Sequence, residues 1–154
     1  MIRLAREDDW PAILEVHRAA FGPEDVPRIA SELHARADLY VPGHVMNTWN
    51  RIEETGKRVL QLSPLGVLPS HQRQGHGSEL VRASLDAVRE AGEPLLLVEG
   101  APAYYSRFGF LRADELGLLP PPEALYDWAF QVAVLDQGAV LPQGRVVYSA
   151  PFRH

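Results

Sequence analysis

The chain has 154 residues, 46% of them apolar, with a net charge of −5 and no cysteine, which suits one globular domain over residues 1–154 with a core of its own. Without a basic run, non-specific nucleic-acid binding is not expected, and the absence of cysteine excludes disulfides, a thiol nucleophile, an acyl-cysteine intermediate and thiolate-bound zinc. No run of about eighteen apolar residues marks a membrane span, and the N-terminus has no apolar signal core, so the expected location is the cytoplasm.

In chain order, Ile2 to Ala5 alternate in a strand-like way. Asp8 or Asp9 then caps a helix with Pro11 in its first turn, where a missing N–H costs nothing. Ile13, Leu14, Val16, His17 and Ala20 give this helix an apolar stripe to about Phe21, and Gly22-Pro23 ends it. A second helix is expected over Asp25–Ala37, after which only Leu39, Tyr40 and Val41 stand before Pro42-Gly43. Gly43–Ile52 reads as a strand, and Glu53-Glu54-Thr55-Gly56 as a turn whose glycine suits positive φ. Arg58–Leu62 begins the next strand and leads into Leu65–Leu68; Ser63-Pro64 interrupts it, the mark of a bulge or splay.

Leu65 to Gly77 organises the chain. Leu65, Val67 and Leu68 are strand-like, Pro69 stops further pairing, and Gln72-Arg73-Gln74-Gly75-His76-Gly77 forms a polar loop with two glycines. The helix that follows runs to about Ala91, with Leu80, Val81, Ser84, Leu85 and Val88 on one face and Gly92 as its C-cap. A glycine loop that opens a helix presents unpaired backbone N–H groups and the positive end of the helix dipole, a site for phosphate. The plain alternative is a strand-to-helix connector. Leu95–Val98 then reads as a buried strand that feeds Glu99 and a short helix stopping at Gly109. Beyond Phe110 the chain is less regular, with a loop around Pro120-Pro121-Pro122, a strand over Ala129–Leu135, a turn over Asp136–Ala139 and a last strand over Arg145–Ser149.

The loop Gln72-Arg73-Gln74-Gly75-His76-Gly77 resembles the acyl-CoA pyrophosphate loop of the GNAT superfamily of N-acetyltransferases, Arg/Gln-x-x-Gly-x-Gly/Ala. Downstream, Tyr105-Ser106-Arg107-Phe108-Gly109-Phe110 resembles that superfamily's Tyr-x-x-x-Gly-Phe. The fuller Pro-x-Tyr-Tyr-x-Arg-Phe-Gly-Phe wording resembles one bacterial branch of predicted N-acetyltransferases, which often carries Gly-Asp-Pro before the tyrosines; here the middle residue is Ala101. The resemblance implies an α/β (α+β) fold with a mixed, mostly antiparallel sheet and helices on both faces. It implies acetyl-CoA as donor cosubstrate and direct attack by a primary amine, on a small molecule or a peptide, in a ternary complex. It further implies that the pantetheine amides bond to the main chain of Leu65, Gly66 and Val67, and that the phosphates lie on Gln72, Arg73, Gln74, Gly75, His76, Gly77 and Ser78. After the second helix it implies two antiparallel strands, of which one, or most of the hairpin, reads as missing at 38–42. Superfamily members often pair as homodimers, and no sequence feature fixes an interface.

Direct acetyl transfer needs an anchored donor, a polarised carbonyl, a deprotonated amine and a stabilised thiolate. Tyr105 is the candidate acid toward the departing sulfur, since a phenol titrates near ~10, close to an alkanethiol; its bland alternative is packing, a role that suits Tyr104 better. Glu99, at the end of a buried strand, is the candidate base, with Glu53 and Glu54 as alternatives on a solvent-facing turn. His17 reads as a core or surface histidine. Trp49, Tyr126 and Trp128 hint at an aromatic pocket, although core packing is the simpler reading. The six histidines show no metal-ligand spacing, and no metal is assigned. Two rival readings are a catalytically inactive acyl-CoA-binding regulatory module and another nucleotide-binding α/β protein.

Overall fold

The computed structural model describes residues 2–21 and 43–148. The helix expected over 25–37 and the short segment at 38–42 lie outside the described residues. By internal contacts the chain gathers into two compact units, Met1–Met46 with Pro64–Ala83 and Asn47–Ser63 with Ser84–His154.

The first unit begins with a correction. Ile2 to Arg6 are extended but belong to no strand, and Ile2 and Leu4 are exposed. The local chemistry explains this. Arg3 makes a two-pronged bridge to Asp9 at 2.6 and 2.8 Å, and the Arg6 N–H donates to the same carboxylate at 2.7 Å. The segment is therefore tied to a one-turn 3-10 helix, Glu7–Asp9, rather than to a neighbouring strand. That bridge also holds the Asp9 carboxyl down to about 2. Helix α1 follows over Trp10–Phe21, with Pro11 in its first turn as expected, and turns Ile13, Val16 and His17 inward.

Strand β1 (Gly43–Ile52) and strand β2 (Arg58–Val67) form a hairpin whose turn places Gly56 at φ +70°. The Ile52 N–H closes it on the Lys57 carbonyl at 2.8 Å. After a 3-10 turn at Pro69–His71, helix α2 runs over His76–Glu90. Gly92 at φ +79° and the bond from the Glu93 N–H to the Val88 carbonyl at 3.2 Å terminate it.

Strand β3 (Leu95–Glu99) leads to helix α3 (Pro102–Tyr105), which continues as a 3-10 turn and stops at Gly109, φ +89°. Strands β4 (Leu111–Arg112), β5 (Leu118–Leu119), β6 (Phe130–Val134) and β7 (Gly144–Val147) bring the sheet among the described residues to seven strands in the order β4-β6-β3-β2-β1-β7-β5. The sheet is mixed and mostly antiparallel, as expected: β2–β3 and β5–β7 are parallel, while β1–β7, β3–β6 and β4–β6 are antiparallel. The core of the second unit is built from Ile52, Val59, Leu95, Leu97, Phe130 and Val132, all nearly inaccessible to solvent. β3 reads as a continuous apolar run because both of its faces are buried. No helix among the described residues is long and apolar enough to cross a membrane.

Candidate active site

The residues expected on the donor side, Leu65 to Val67 and Gln72 to Ser78, all lie in the first unit. The ladder between β2 and β3 pairs Gln61 with Leu97 and Leu62 with Val98 and ends there, immediately before Ser63-Pro64. Leu65 and Val67 are half-buried, while Gly66 is buried. A side chain on Gly66 would meet His17 Nδ1 at 2.8 Å and Val16 Cγ1 at 3.2 Å, so glycine is what lets β2 lie flat against α1. The Gln72 side chain folds back and donates to the Val67 carbonyl at 3.0 Å, and Gln74 donates to the Ser70 carbonyl at 3.2 Å. These two residues brace the loop with their side chains.

Between them the backbone turns sharply. Arg73 sits at φ +60°, the one described non-glycine residue with positive φ, and Gly75 at φ +87°. Residues at positive φ can turn successive N–H groups toward a common concavity, the form of an anion-binding nest. Residues 72–75 are exposed, and a Cβ on Gly75 would meet nothing within 4 Å. The loop runs directly into the first turn of α2 at His76, Gly77 and Ser78, where the helix dipole adds its positive end. The His76 ring lies 6.0 Å from that of His71.

Behind Gly66 is a feature that the sequence does not advertise. His17 Nε2 and His44 Nδ1 are 2.9 Å apart, with both rings buried and Trp10 edge-on to His44 at 6.0 Å. Burial, helped by the neighbouring imidazole, pushes His17 down to about 4, and burial also pushes His44 down to about 4 against the pull of Asp9. Both rings are thus neutral at pH 7. The unfolded chain takes up protons below about 6.5 that the folded rings refuse until about 4, so stability falls as pH drops through that window. The loss is on the order of 3 kcal/mol for one ring. Asp9 acts in the same direction lower down, its contribution fading from the ordinary carboxylate range toward about 2. Urea midpoints at about pH 7.5 and 4.5 check this. A marked drop is expected, and equal midpoints would contradict the neutral buried pair.

Glu99 and Tyr105 lie in the second unit. Both Glu99 oxygens are engaged: Oε1 accepts from the Leu125 N–H at 2.7 Å and Oε2 from the Tyr148 hydroxyl at 2.5 Å. Burial first, then Glu99, pushes the Tyr148 hydroxyl well above the usual phenol range. Behind Tyr148 a buried amide pair, Asn50 to Gln61 at 2.8 Å, extends the polar layer. Glu99 therefore fastens a loop and a strand end that lie far from it in sequence, and neither partner was legible in advance. Glu53 and Glu54 are exposed on their turn, and Glu54 accepts from the Arg145 N–H at 3.0 Å.

Tyr105 lies over Gly100, the residue after Glu99; a Cβ there would meet Tyr105 Cδ2 at 3.0 Å. Gly100 is itself pinned, its N–H on the Ala129 carbonyl and its carbonyl on the Gln131 amide, both at 3.0 Å. Tyr104 at 5.0 Å and Phe110 at 5.6 Å, both edge-on, fix the ring. Burial, then Tyr104, pushes the Tyr105 phenol up to about 12. Ala101, where the related branch often has Asp, offers no side-chain cap to α3.

The aromatic residues correct another expectation. Trp49, Tyr126 and Trp128 are not core: they are 38%, 57% and 50% exposed. The Arg58 guanidinium covers Trp49 at 4.0 Å, while Tyr126 and Trp128 stack on each other at 5.0 Å beside Leu125. No group of three or more His, Asp or Glu suited to a metal occurs among the described residues.

Comparison with known proteins gives the family. A family model described as the acetyltransferase (GNAT) domain matches residues 34–112, half of the chain. An uncharacterized N-acetyltransferase, SCO2625, of Streptomyces coelicolor is 30% identical over 129 residues; the match covers 70% of this chain but only 31% of that relative. Among solved structures, the Escherichia coli GNAT-family N-acetyltransferase YhbS in complex with CoA superposes with a TM-score of 0.83 at 26% identity, covering 99% of this chain and 91% of that one. A Brucella melitensis GNAT-family acetyltransferase in complex with acetyl-CoA gives 0.77 at 30% identity, covering 99% and 97%. The chain belongs to the GNAT acetyltransferase family.

Proposed function

We propose that residues 1–154 act as one acetyl-CoA-dependent N-acetyltransferase domain that transfers the acetyl group directly to a primary amine. The observation that carries this reading is the open loop with positive φ at Arg73 and Gly75 that runs into the start of α2. Such a nest suits a pyrophosphate and leaves its backbone donors accessible. The related YhbS and Brucella structures, which hold CoA and acetyl-CoA, support the same ligand. In this reading the main chain of Leu65, Gly66 and Val67 receives the pantetheine arm, and Gln72 to Ser78 receive the phosphates. Tyr105 supports the departing thiolate. Glu99 is the acceptor-side base, using the second lone pair that each of its oxygens retains.

The acidic balance of the chain, −5 overall, favours a cationic acceptor by steering. The test is a thermal shift with acetyl-CoA, CoA, ATP and NAD in parallel. A ligand at ~100 times its dissociation constant adds ~2.7 kcal/mol to the folded state. Stabilisation by both CoA species alone is the expected result, to be followed by an amine screen for acetylation. A flat response to acetyl-CoA would overturn the donor site.

A further inference from the structure

We infer that Tyr148 is a positioning residue for Glu99: a buried hydrogen-bond chain from Asn50 through Gln61 aims the Tyr148 hydroxyl at the Glu99 carboxylate and fixes which of its lone pairs can take a proton. The inference rests on the acetyltransferase reading above, in which Glu99 is the acceptor-side base, and adds the device that holds that base. All of these residues lie in the second unit.

The chain runs one way. The Asn50 side-chain amide donates to Gln61 Oε1 at 2.8 Å, which engages the carbonyl end of Gln61. The Gln61 side chain in turn bonds Tyr148 and favours its phenolate, which only a donor does. The Tyr148 oxygen therefore accepts from Gln61, and its own hydrogen goes to Glu99 Oε2 at 2.5 Å. Burial first, then Glu99 and, among the described residues, Glu123 keep that hydrogen on Tyr148 against the pull of Gln61. The Leu125 N–H holds the other Glu99 oxygen at 2.7 Å. One fixed donor on each oxygen sets the plane of the carboxylate. An incoming proton is left the remaining lone pair on each oxygen. Donors aligned head to tail also polarise one another, so the last bond gains from those behind it.

Stability alone gives no reason for this chain. Asn50, Gln61 and Tyr148 are all buried, and Tyr148 stands in the same core as Ile52, Val59, Leu97 and Val146. Apolar residues of similar size at these places would avoid the desolvation of every polar group in the chain. Polar residues set against the core pattern are expected where a site needs them. The chain draws on β1 at Asn50, on β2 at Gln61 and on the residue after β7, and it ends on the carboxylate that closes β3. Rigid strands thus hold every link, and only the Leu125 N–H comes from a loop.

Two measurements on the full chain decide the matter. The first needs no turnover: NMR of the Tyr148 hydroxyl proton and of the carbon-13 glutamate carboxyls, with Glu99→Gln to assign the Glu99 signal. In wild type the hydroxyl proton should be protected from exchange; free exchange with water overturns the chain whether or not any variant folds. Tyr148→Phe keeps the ring in the core and takes one donor from Glu99. A carboxylate with fewer donors is protonated more readily, so the Glu99 titration should move to higher pH. Gln61→Met should move it the same way by less, and an unmoved titration in either variant overturns the proposal. The second measurement is kinetic. Tyr148→Phe should lower kcat about tenfold, move the acid limb of kcat/KM to higher pH and retain the acetyl-CoA thermal shift. Val146→Ala loosens the same core without touching the chain, and it should lower the melting temperature while leaving the acid limb in place. If Val146→Ala moves the limb as far, or Tyr148→Phe changes the melting temperature alone, Tyr148 is a packing residue and the proposal fails. A kcat unaffected by Glu99→Gln also rejects it, since there is then no base to position. Failure of acetyl-CoA to stabilise wild type would instead remove the donor reading, which the carboxyl titration does not depend on.

Discussion

Tyr105→Phe is expected to lower kcat by about 10²–10³-fold while leaving acetyl-CoA binding within a few-fold of wild type. The substitution removes one oxygen and keeps the ring, so the contacts that hold it over Gly100 and edge-on to Tyr104 and Phe110 persist. The structure also changes what the hydroxyl is expected to do. Read from sequence, a phenol near ~10 matches a thiol and passes it a proton. Burial pushes this phenol up to about 12, about two units above an alkanethiol, so full transfer to the thiolate is uphill. Its role becomes that of a hydrogen-bond donor that never loses its proton at working pH. In the proposed reaction it stabilises charge as the C–S bond breaks, which is worth most in a site with little water. Single-turnover rates with saturating acetyl-CoA and a responsive amine measure the effect, and the thermal shift measures binding separately. Loss of both together would make Tyr105 a packing residue. An unchanged rate would leave the sulfur without this partner. A wild type that binds acetyl-CoA but acetylates no amine would revive the inactive-module reading.

Features set by neighbouring residues were legible in the sequence. β1 falls on Gly43–Ile52 as read, because glycine bounds it at one end and the turn at Gly56 follows it. α2, its cap at Gly92 and the stop at Gly109 follow from periodicity and from glycines at positive φ. Short-range pattern misled at Ile2–Ala5, where alternation is overridden by the grip of Arg3 on Asp9. β4 and β5, two residues each, are too short to carry any period. The aromatic residues at 49, 126 and 128 read as core because size and apolarity suggest burial. In the structure two of them satisfy each other by stacking, and the third is covered by Arg58. What stayed out of sight is the long-range pairing. Glu99 with Tyr148 and His17 with His44 join residues 49 and 27 positions apart, and nothing local in the chain announces either bond.

Gly75→Val is expected to abolish stabilisation by acetyl-CoA at a concentration that protects wild type, while the chain stays folded. A β-branched residue at φ +87° is a genuine backbone outlier and costs roughly 1–3 kcal/mol. The loop can keep its shape and carry that strain, or relax and lose the nest of N–H groups. Either way a side chain now stands where the phosphates are proposed to lie. A steric clash with the protein is not part of the effect, because a Cβ at position 75 meets nothing within 4 Å. The control is Gly56→Val. Gly56 has φ +70° and equally open space, but it sits on the β1–β2 turn, which has no proposed ligand. Both variants should lose a similar few degrees of melting temperature without ligand, yet only Gly75→Val should lose the acetyl-CoA shift. If both lose it, backbone strain alone weakens the donor site and the loop has no special claim. If neither does, the phosphates are not held by Gly75, and the roles proposed for Gln72 to Ser78 fall with it.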